Sequence, residues 1–557
     1  MSAGRFLRTA RHIPAGQLAQ RLRILALRRA YAAAPGRPIA RAARAAAGMS
    51  PIPVLPRLPD EIAWPDGLDA LERRAADLER GHFVHLNRGA DFSRGIRWSD
   101  EGASALWLYQ LQYLGCAADL ARTGRTAAAA RVVAAWSAAC GRRWDAVAWH
   151  PYPVSLRLAN LCVAASVAGG FDALGPGVAA VAATHAAFLL RHVEHDVRGN
   201  HILENARALL WAGRCFRGGL AEACEREART IVESEIYDQV LDDGGHFELS
   251  PMYHCIVMRG LLEMRALLGA NDPLAVQRIT PVLRRMGDFL AGILCPDGDI
   301  PLLGDAVRGF GPPPAALLRQ VGTTPREWTG VRPFAATGLY VLRNERIWAI
   351  FDAGPVCPPY LPAHGQADSL TVEVWVDGKQ VIADPGVFDY AGPERAWGRS
   401  SRSHSTVTID DADTSEVYDS FRVGGRARIA SVGIAEMADE VVARLHPFGA
   451  RAEISRSLRL FGGSLTIEDT STGPPDAGLL CSRMHLAPGA QFVFGPGQAP
   501  GTVSSANSRV ADVVFEGEAE AEKGSVSREF GLLQESVILV RRVPVGAGHV
   551  RWVIGPP

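Results

Sequence analysis

The spacing of apolar residues changes period once along the chain, and that change constrains the fold more than any motif does. From Leu68 to Leu318 apolar side chains recur at i, i+3 and i+4, as at Trp107, Leu111, Leu114 and Ala118 or Val257, Leu261, Met264 and Leu268. This is the spacing of helices with one greasy face. Breaks at Cys140-Gly141, Gly169-Gly170, Gly218-Gly219 and Asn271-Asp272-Pro273 divide the run into antiparallel helix pairs. A long series of such pairs closes most readily as an (α/α) toroid, an incomplete barrel. After Pro312-Pro313-Pro314 and Pro333 the texture becomes that of strands: Gly338 to Leu342, Ile347 to Phe351, and Ser369 to Val376 with the Asp377-Gly378 turn. Short strands continue to Trp552, Val553 and Ile554, which predicts an antiparallel β-sandwich. The expected organisation is multidomain, α then β. A basic segment over 1–60, helical and packed on the toroid, precedes the toroid over 61–325 and the sandwich over 326–557.

Composition narrows the function. The chain has 557 residues, 48% hydrophobic and 21% charged, enough for two large packed domains. Its 59 Lys+Arg and 59 Asp+Glu cancel, so no global field attracts nucleic acid, and an acidic ligand would need a local cleft. Nine cysteines without a CxxC pair read as buried free thiols. No standard export signal is visible: the apolar stretch from Ile24 to Leu27 is too short, which points to a cytoplasmic location, with a periplasmic or membrane-peripheral one as the alternative. The stretch from Ala173 to Leu190 is interrupted by Pro176 and His185 and reads as a buried helix, so no transmembrane segment is expected. The arginines at 5, 8, 11, 21, 23, 28 and 29 allow a basic helix packed on its own protein or one lying on a membrane or partner.

Three polar clusters exceed what packing requires. Asn200 stands at an expected N-cap, and His201, Glu204 and Asn205 follow at i, i+3 and i+4 on one helical face, read either as a ligand-binding edge or as a cap with a solvated face. In the second, Gly244-Gly245 makes a turn and Ser250-Pro251 starts a helix that places Tyr253 and His254 in its first turn, where the backbone field favours a phenolate. A tyrosine that merely bonds a loop is the alternative. The third gathers His364, Asp384 and His404 from separate strand ends, with Arg395, Arg399 and Arg402 for positive charge. Such His and carboxylate groups suit a metal, and equally suit ordinary turns.

Several short patches together resemble the heparinase II/III-like polysaccharide lyases. They are Pro151-Tyr152-Pro153-Val154-Ser155-Leu156-Arg157, Asn200-His201, Ser250-Pro251-Met252-Tyr253-His254, His364-Gly365-Gln366-Ala367-Asp368, Ala383-Asp384-Pro385-Gly386, Ser403-His404-Ser405-Thr406-Val407 and Ser420-Phe421-Arg422-Val423-Gly424. Each is weak alone, but their order across both domains makes chance improbable. The resemblance implies a cleft walled by both domains and an acidic polysaccharide as substrate. It implies that Asn200 and His201 bind the substrate carboxylate, with Glu204 beside them, that Tyr253 is the general acid and often also the base, and that His364 is a second catalytic histidine. It also implies a structural metal, usually zinc, on Asp384, His404 and the position of Gln366. The family commonly has histidine there, and a neutral amide is a poor zinc ligand. The metal is therefore expected to be absent, weak or a harder divalent cation, and no cofactor is required for the chemistry.

That chemistry is β-elimination. The C5 proton of a hexuronate is a poor acid, so donors on the adjacent carboxylate must stabilise the charge that develops as a base removes the proton. Tyr253 would need a lowered pKa, from His254, His364 or the helix start, to act as that base. Arg157 and Arg399 are expected to grip neighbouring acidic groups, His254 and Tyr152 to contact substrate, and Trp149, Tyr152 and Trp397 to stack on sugars or pack in the core. Two rival readings are a glycoside hydrolase using Asp243, Glu248 or Glu204 and a glycan-binding or exopolysaccharide-pathway protein without catalysis.

Overall fold

A computed structural model describes residues 3–59, 62, 67–100, 102–435, 439–474, 476–493, 501–505, 508–515, 517–546 and 548–557. The chain forms a helical toroid and an antiparallel β-sandwich, as the change of period predicts. It divides into two compact units, one of residues 14–239 and 256–283 and one of residues 1–13, 240–255 and 284–557. The expected boundary between residues 60 and 61 falls outside the described residues.

In the helical unit, Thr126–Cys140, Pro151–Ala168, Val178–Leu189, Gly199–Cys215 and Gly219–Gln239 are among the long helices. Pro151–Ala168 packs on both Gly115–Arg122 and Gly199–Cys215, and so is buried around nearly its whole girth. Apolar residues fill it for that reason, and its polar members pair internally. Val178–Leu189 is a buried helix, and no helix among the described residues is long and apolar enough to cross a membrane.

In the other unit, Gly330–Phe334, Leu339–Arg343, Ile347–Asp352, Val372–Val376 and Lys379–Ile382 pair in sequence order as one antiparallel sheet. A wider sheet runs from Arg428–Ala435 through Glu440–His446, Glu453–Phe461 and Ser464–Thr472, then takes His549–Gly555 as the next neighbour. Inward residues of Glu453–Phe461 and Ser464–Thr472 alternate with outward ones, whereas Val372–Val376 is buried throughout. Arg456 lies opposite Asp469 in register and is held by its carboxylate at 2.6 and 2.8 Å, a buried pair further satisfied by the Leu370 and Ser405 carbonyls.

The two compact units are not continuous stretches of chain. The Val240–Cys255 segment belongs with the sheets because Asp243 accepts the Thr337 backbone N–H at 2.7 Å and Ser250 donates to the Asp305 carbonyl at 2.7 Å. The basic segment divides as well. The Ala15–Ala33 helix is tied to 191–197, while Ala3–Ala10 bonds Glu416 through Arg5 and Arg8. All nine cysteines are free and all but Cys140 are buried, as expected.

Candidate active-site clusters

One cluster is built inside the sheet-bearing unit. Ser250 accepts the Tyr253 backbone N–H at 3.4 Å and opens the Pro251–Leu268 helix, so Tyr253 does stand in the first turn. Its ring stacks on His364, with centroids 3.9 Å apart and planes at 26°, and its hydroxyl lies 2.9 Å from that of Tyr390. His364 is clamped on both edges: Nδ1 is 3.0 Å from Asp305 Oδ2 and Nε2 is 3.1 Å from Glu248 Oε2. Asp305 in turn receives both terminal nitrogens of Arg395 and, at 2.8 Å, the Gln366 amide. The loop that presents Asp305 can approach this closely because residue 304 is glycine. A Cβ there, at φ +56°, would meet the Leu249 and His364 carbonyls at 3.2 and 3.4 Å. Leu249, beside Glu248, itself adopts φ 58°, a strained choice for a leucine.

Electrostatics follow from this wiring. Burial alone would lower the His364 pKa, but the hydrogen bonds and charges of Asp305 and Glu248 win and push it up to about 9, so the ring is an imidazolium at neutral pH. Burial opposes ionisation of Asp305, yet Arg395 and His364 hold it well below the usual carboxylate range. Tyr253 does not have the lowered pKa that a base role calls for. Burial, then Tyr390, Asp305 and Glu248, raise its phenol well above 10, so at rest it is a protonated acid. The helix start does not outweigh desolvation. Because the folded His364 pKa exceeds its ordinary 6.5, its contribution to stability is complete below about 6.5 and is lost as pH rises through about 9. The Tm should therefore fall across that window, and His364→Gln should flatten the fall; an unchanged slope in the variant would place its source elsewhere.

A second cluster forms at one end of the Gly199–Cys215 helix. Arg198, at φ 63°, is the N-cap, and Asn200 lies in the first turn. His201 Nδ1 bonds Glu194 at 2.9 Å, and its ring packs on the half-buried Tyr152, centroids 4.2 Å apart. Asn205 braces Glu194 by donating to Oε2 at 3.0 Å and accepting the Glu194 backbone N–H at 2.8 Å. Burial would raise the Glu194 pKa, but His201, His150 and Asn205 keep it low and the carboxylate charged. A charged Glu194 fixes the orientation of the His201 ring.

Other expected site residues are structural. Glu204 pairs with buried Arg207 at 2.8 Å, which also binds Glu263. Arg157 is fully buried, bonded to His185 and to the Gln112 and Ala148 carbonyls, and cannot grip a substrate. Arg399 is 1% exposed and spends its guanidinium on the Gly365, Tyr418, Asp419 and Arg422 carbonyls. His254 is buried against Phe289 and bonds the Met286 carbonyl, its pKa lowered by burial to about 3. Trp149 is a core residue stacked on His185. The carboxylates a hydrolase would use are also engaged: Asp243 with Thr337, Glu248 with His364 and Glu204 with Arg207.

The implied metal position was tested against its donors. His404 Nδ1 and Asp384 Oδ2 lie 2.8 Å apart as a fully buried pair, and Gln366 Nε2 bonds the Gly304 carbonyl and Asp305. Among the described residues no three His, Cys, Asp or Glu side chains are placed to hold a metal ion. The set does not fit zinc. The buried atoms Gln366 Oε1, Asp384 Oδ1 and His404 Nε2 make no hydrogen bond with the described residues, and two oxygens with one nitrogen are a donor set that a harder divalent cation would take.

Glu194, Asp305 and Tyr390 were missed by sequence reasoning. Each lies outside the helices and strands, where no periodicity flags a residue.

Comparison with known proteins gives a consistent picture. Residues 144–310 match the family described as Heparinase II/III N-terminus, and residues 328–553 match Heparinase II/III-like, C-terminal. A heparin-sulfate lyase of Bacteroides stercoris is 27% identical over 304 residues, 47% of this chain and 44% of that protein. One of Pedobacter heparinus is 27% identical over 311 residues, 48% of this chain and 45% of that protein. The chain thus matches under half the length of these relatives. A crystal structure of heparinase III superposes with a TM-score of 0.72 at 16% identity, over 91% of this chain and 88% of the other.

Proposed function

Because the chain belongs to the heparinase II/III-like family, we propose that it is a polysaccharide lyase that cleaves a uronic-acid-containing glycan by β-elimination. The C5 proton is removed, the C4–O bond breaks, and an unsaturated uronate remains on the new non-reducing end. The observation that carries this reading is the Tyr253 phenol stacked on a His364 imidazolium that Asp305 and Glu248 hold charged.

In this reading Tyr253 gives its proton to the departing glycosidic oxygen, a role its high pKa suits. To take the C5 proton as well, Tyr253 must first ionise, and the fixed positive charge of His364 against its face offsets the charge gained. His364 is then a charged partner of Tyr253 rather than a free base, since both its nitrogens face carboxylates. Asn200 and His201 bind the uronate carboxylate, with Glu194 orienting His201 and Tyr152 supplying an apolar face. A phenolate requirement predicts that kcat/KM rises with pH through the neutral range into the alkaline one; a profile flat from about pH 6 to 9 would remove Tyr253 from the base role.

Glycosaminoglycans are the first substrates to try, since the matched relatives are named for heparin sulfate. Heparan sulfate, chondroitin, alginate and bacterial exopolysaccharides should be incubated with the protein and followed in the ultraviolet. Absorbance from the unsaturated uronate supports the proposal, and reducing ends released without it refute it. Gln366, Asp384 and His404 would hold a hard divalent cation of structural role, and no step of the reaction uses it. Purified protein should carry no stoichiometric zinc by elemental analysis, and Gln366→His should acquire it; zinc in the unaltered protein would reverse that assignment.

A further inference from the structure

The Ala15–Ala33 helix is fastened to its own unit through polar groups. Gln17 and Arg21 donate to the Asp196 carbonyl at 3.0 and 3.2 Å, Arg23 donates to the Arg191 carbonyl at 3.2 Å, and the Tyr31 hydroxyl meets His192 at 2.8 Å. Ile24 and Leu27 are half-buried, and Gln17 is the buried residue of the helix. Leu18, Leu22 and Leu25 are instead 40%, 61% and 54% exposed. At about 100° per residue these three and Arg29 fall in one sector of about 60°. Single exposed leucines are ordinary, but an aligned stripe over two turns of a helix that is fastened through polar contacts is not.

The surroundings of the stripe decide what covers it. Residues 1–59 hold eleven arginines and no Asp or Glu, whereas the rest of the chain carries 48 Lys+Arg against 59 Asp+Glu. Arg23, Arg28, Arg29, Arg37, Arg41 and Arg44 are exposed. A second copy of the chain would bring the same positive surface against this one, which repulsion opposes. An acidic polysaccharide would satisfy the arginines and leave the leucines in water. A layer of anionic lipid satisfies both groups, with acyl chains for the leucines and phosphates for the guanidiniums.

We infer that the Ala15–Ala33 helix lies on an anionic lipid surface, its Leu18, Leu22 and Leu25 edge inserted below the headgroups and the neighbouring arginines at phosphate level. The inference is independent of the proposed lyase activity. It is tested by sedimenting the full chain with vesicles of neutral phosphatidylcholine alone or mixed with phosphatidylglycerol. The expected result is binding to the mixed vesicles that weakens with salt, little binding to the neutral ones, and about tenfold or greater loss in Leu18→Ser/Leu22→Ser/Leu25→Ser. Circular dichroism of that variant should match the parent, because the three side chains are exposed. No sedimentation with the mixed vesicles would overturn the inference, as would binding that the triple variant retains. Two further results would assign the surface to another occupant and overturn it equally: a dimer in analytical ultracentrifugation that the variant dissolves, or binding of a soluble sulfated polysaccharide that the variant loses.

Discussion

Tyr253→Phe is expected to lower kcat by roughly 10³-fold while leaving substrate affinity and fold nearly unchanged. The substitution removes one oxygen. The ring that stacks on His364 stays, and the hydroxyl contact to Tyr390 is a single hydrogen bond worth about 1 kcal/mol. What is lost is the hydroxyl on the ring stacked against His364; the Tyr390 ring lies 6.3 Å from His364 and tilted by 41°, not stacked on it. Turnover by ultraviolet absorbance and Kd by calorimetry on the same preparation check the prediction. A variant that keeps more than about a tenth of the activity would show that the proton transfer lies elsewhere.

Asp305→Ala is expected to be strongly destabilising, costing about 3–5 kcal/mol. Asp305 is fully buried and receives Arg395, His364 and Gln366 at once. Its removal strands the Arg395 guanidinium, 3% exposed, and deletes one of the two carboxylates that keep His364 charged. Urea unfolding should show the lower stability, and the fall of Tm between about pH 6.5 and 9 should shrink with it. Activity below the new Tm should fall too, since Tyr253 would rest against a less charged ring. A variant of parental stability would mean that the Arg395–Asp305–His364 wiring does not hold the cluster together.

Much of this architecture is legible in the chain because burial has a period. The helical spacing from Leu68 to Leu318 and the alternation in Glu453–Phe461 each report which face is covered, and the toroid and sandwich follow. Partner choice has no such local mark. Nothing near Ser464–Thr472 announces that its neighbour is His549–Gly555, and nothing near Val240–Cys255 says that it packs with the sheets. The candidate residues divide the same way. Tyr253 and His364 stand together as the resemblance implied, though separated by more than a hundred residues in sequence. Arg157 and Glu204 were misread because a helix buried on every side offers no polar face, and a charge inside it is as readily a paired strut as a ligand. The protonation of Tyr253 turns on the same balance. A first-turn position favours a phenolate by a fraction of the amount by which complete burial opposes one.

The central claim is that the glycosidic bond is broken by elimination and not by water. Cleavage of a uronate polymer in water enriched with heavy oxygen, followed by mass spectrometry of the fragments, separates the two directly. The account predicts fragments that carry a new double bond and no heavy oxygen at the cleaved linkage; heavy oxygen incorporated there would contradict it.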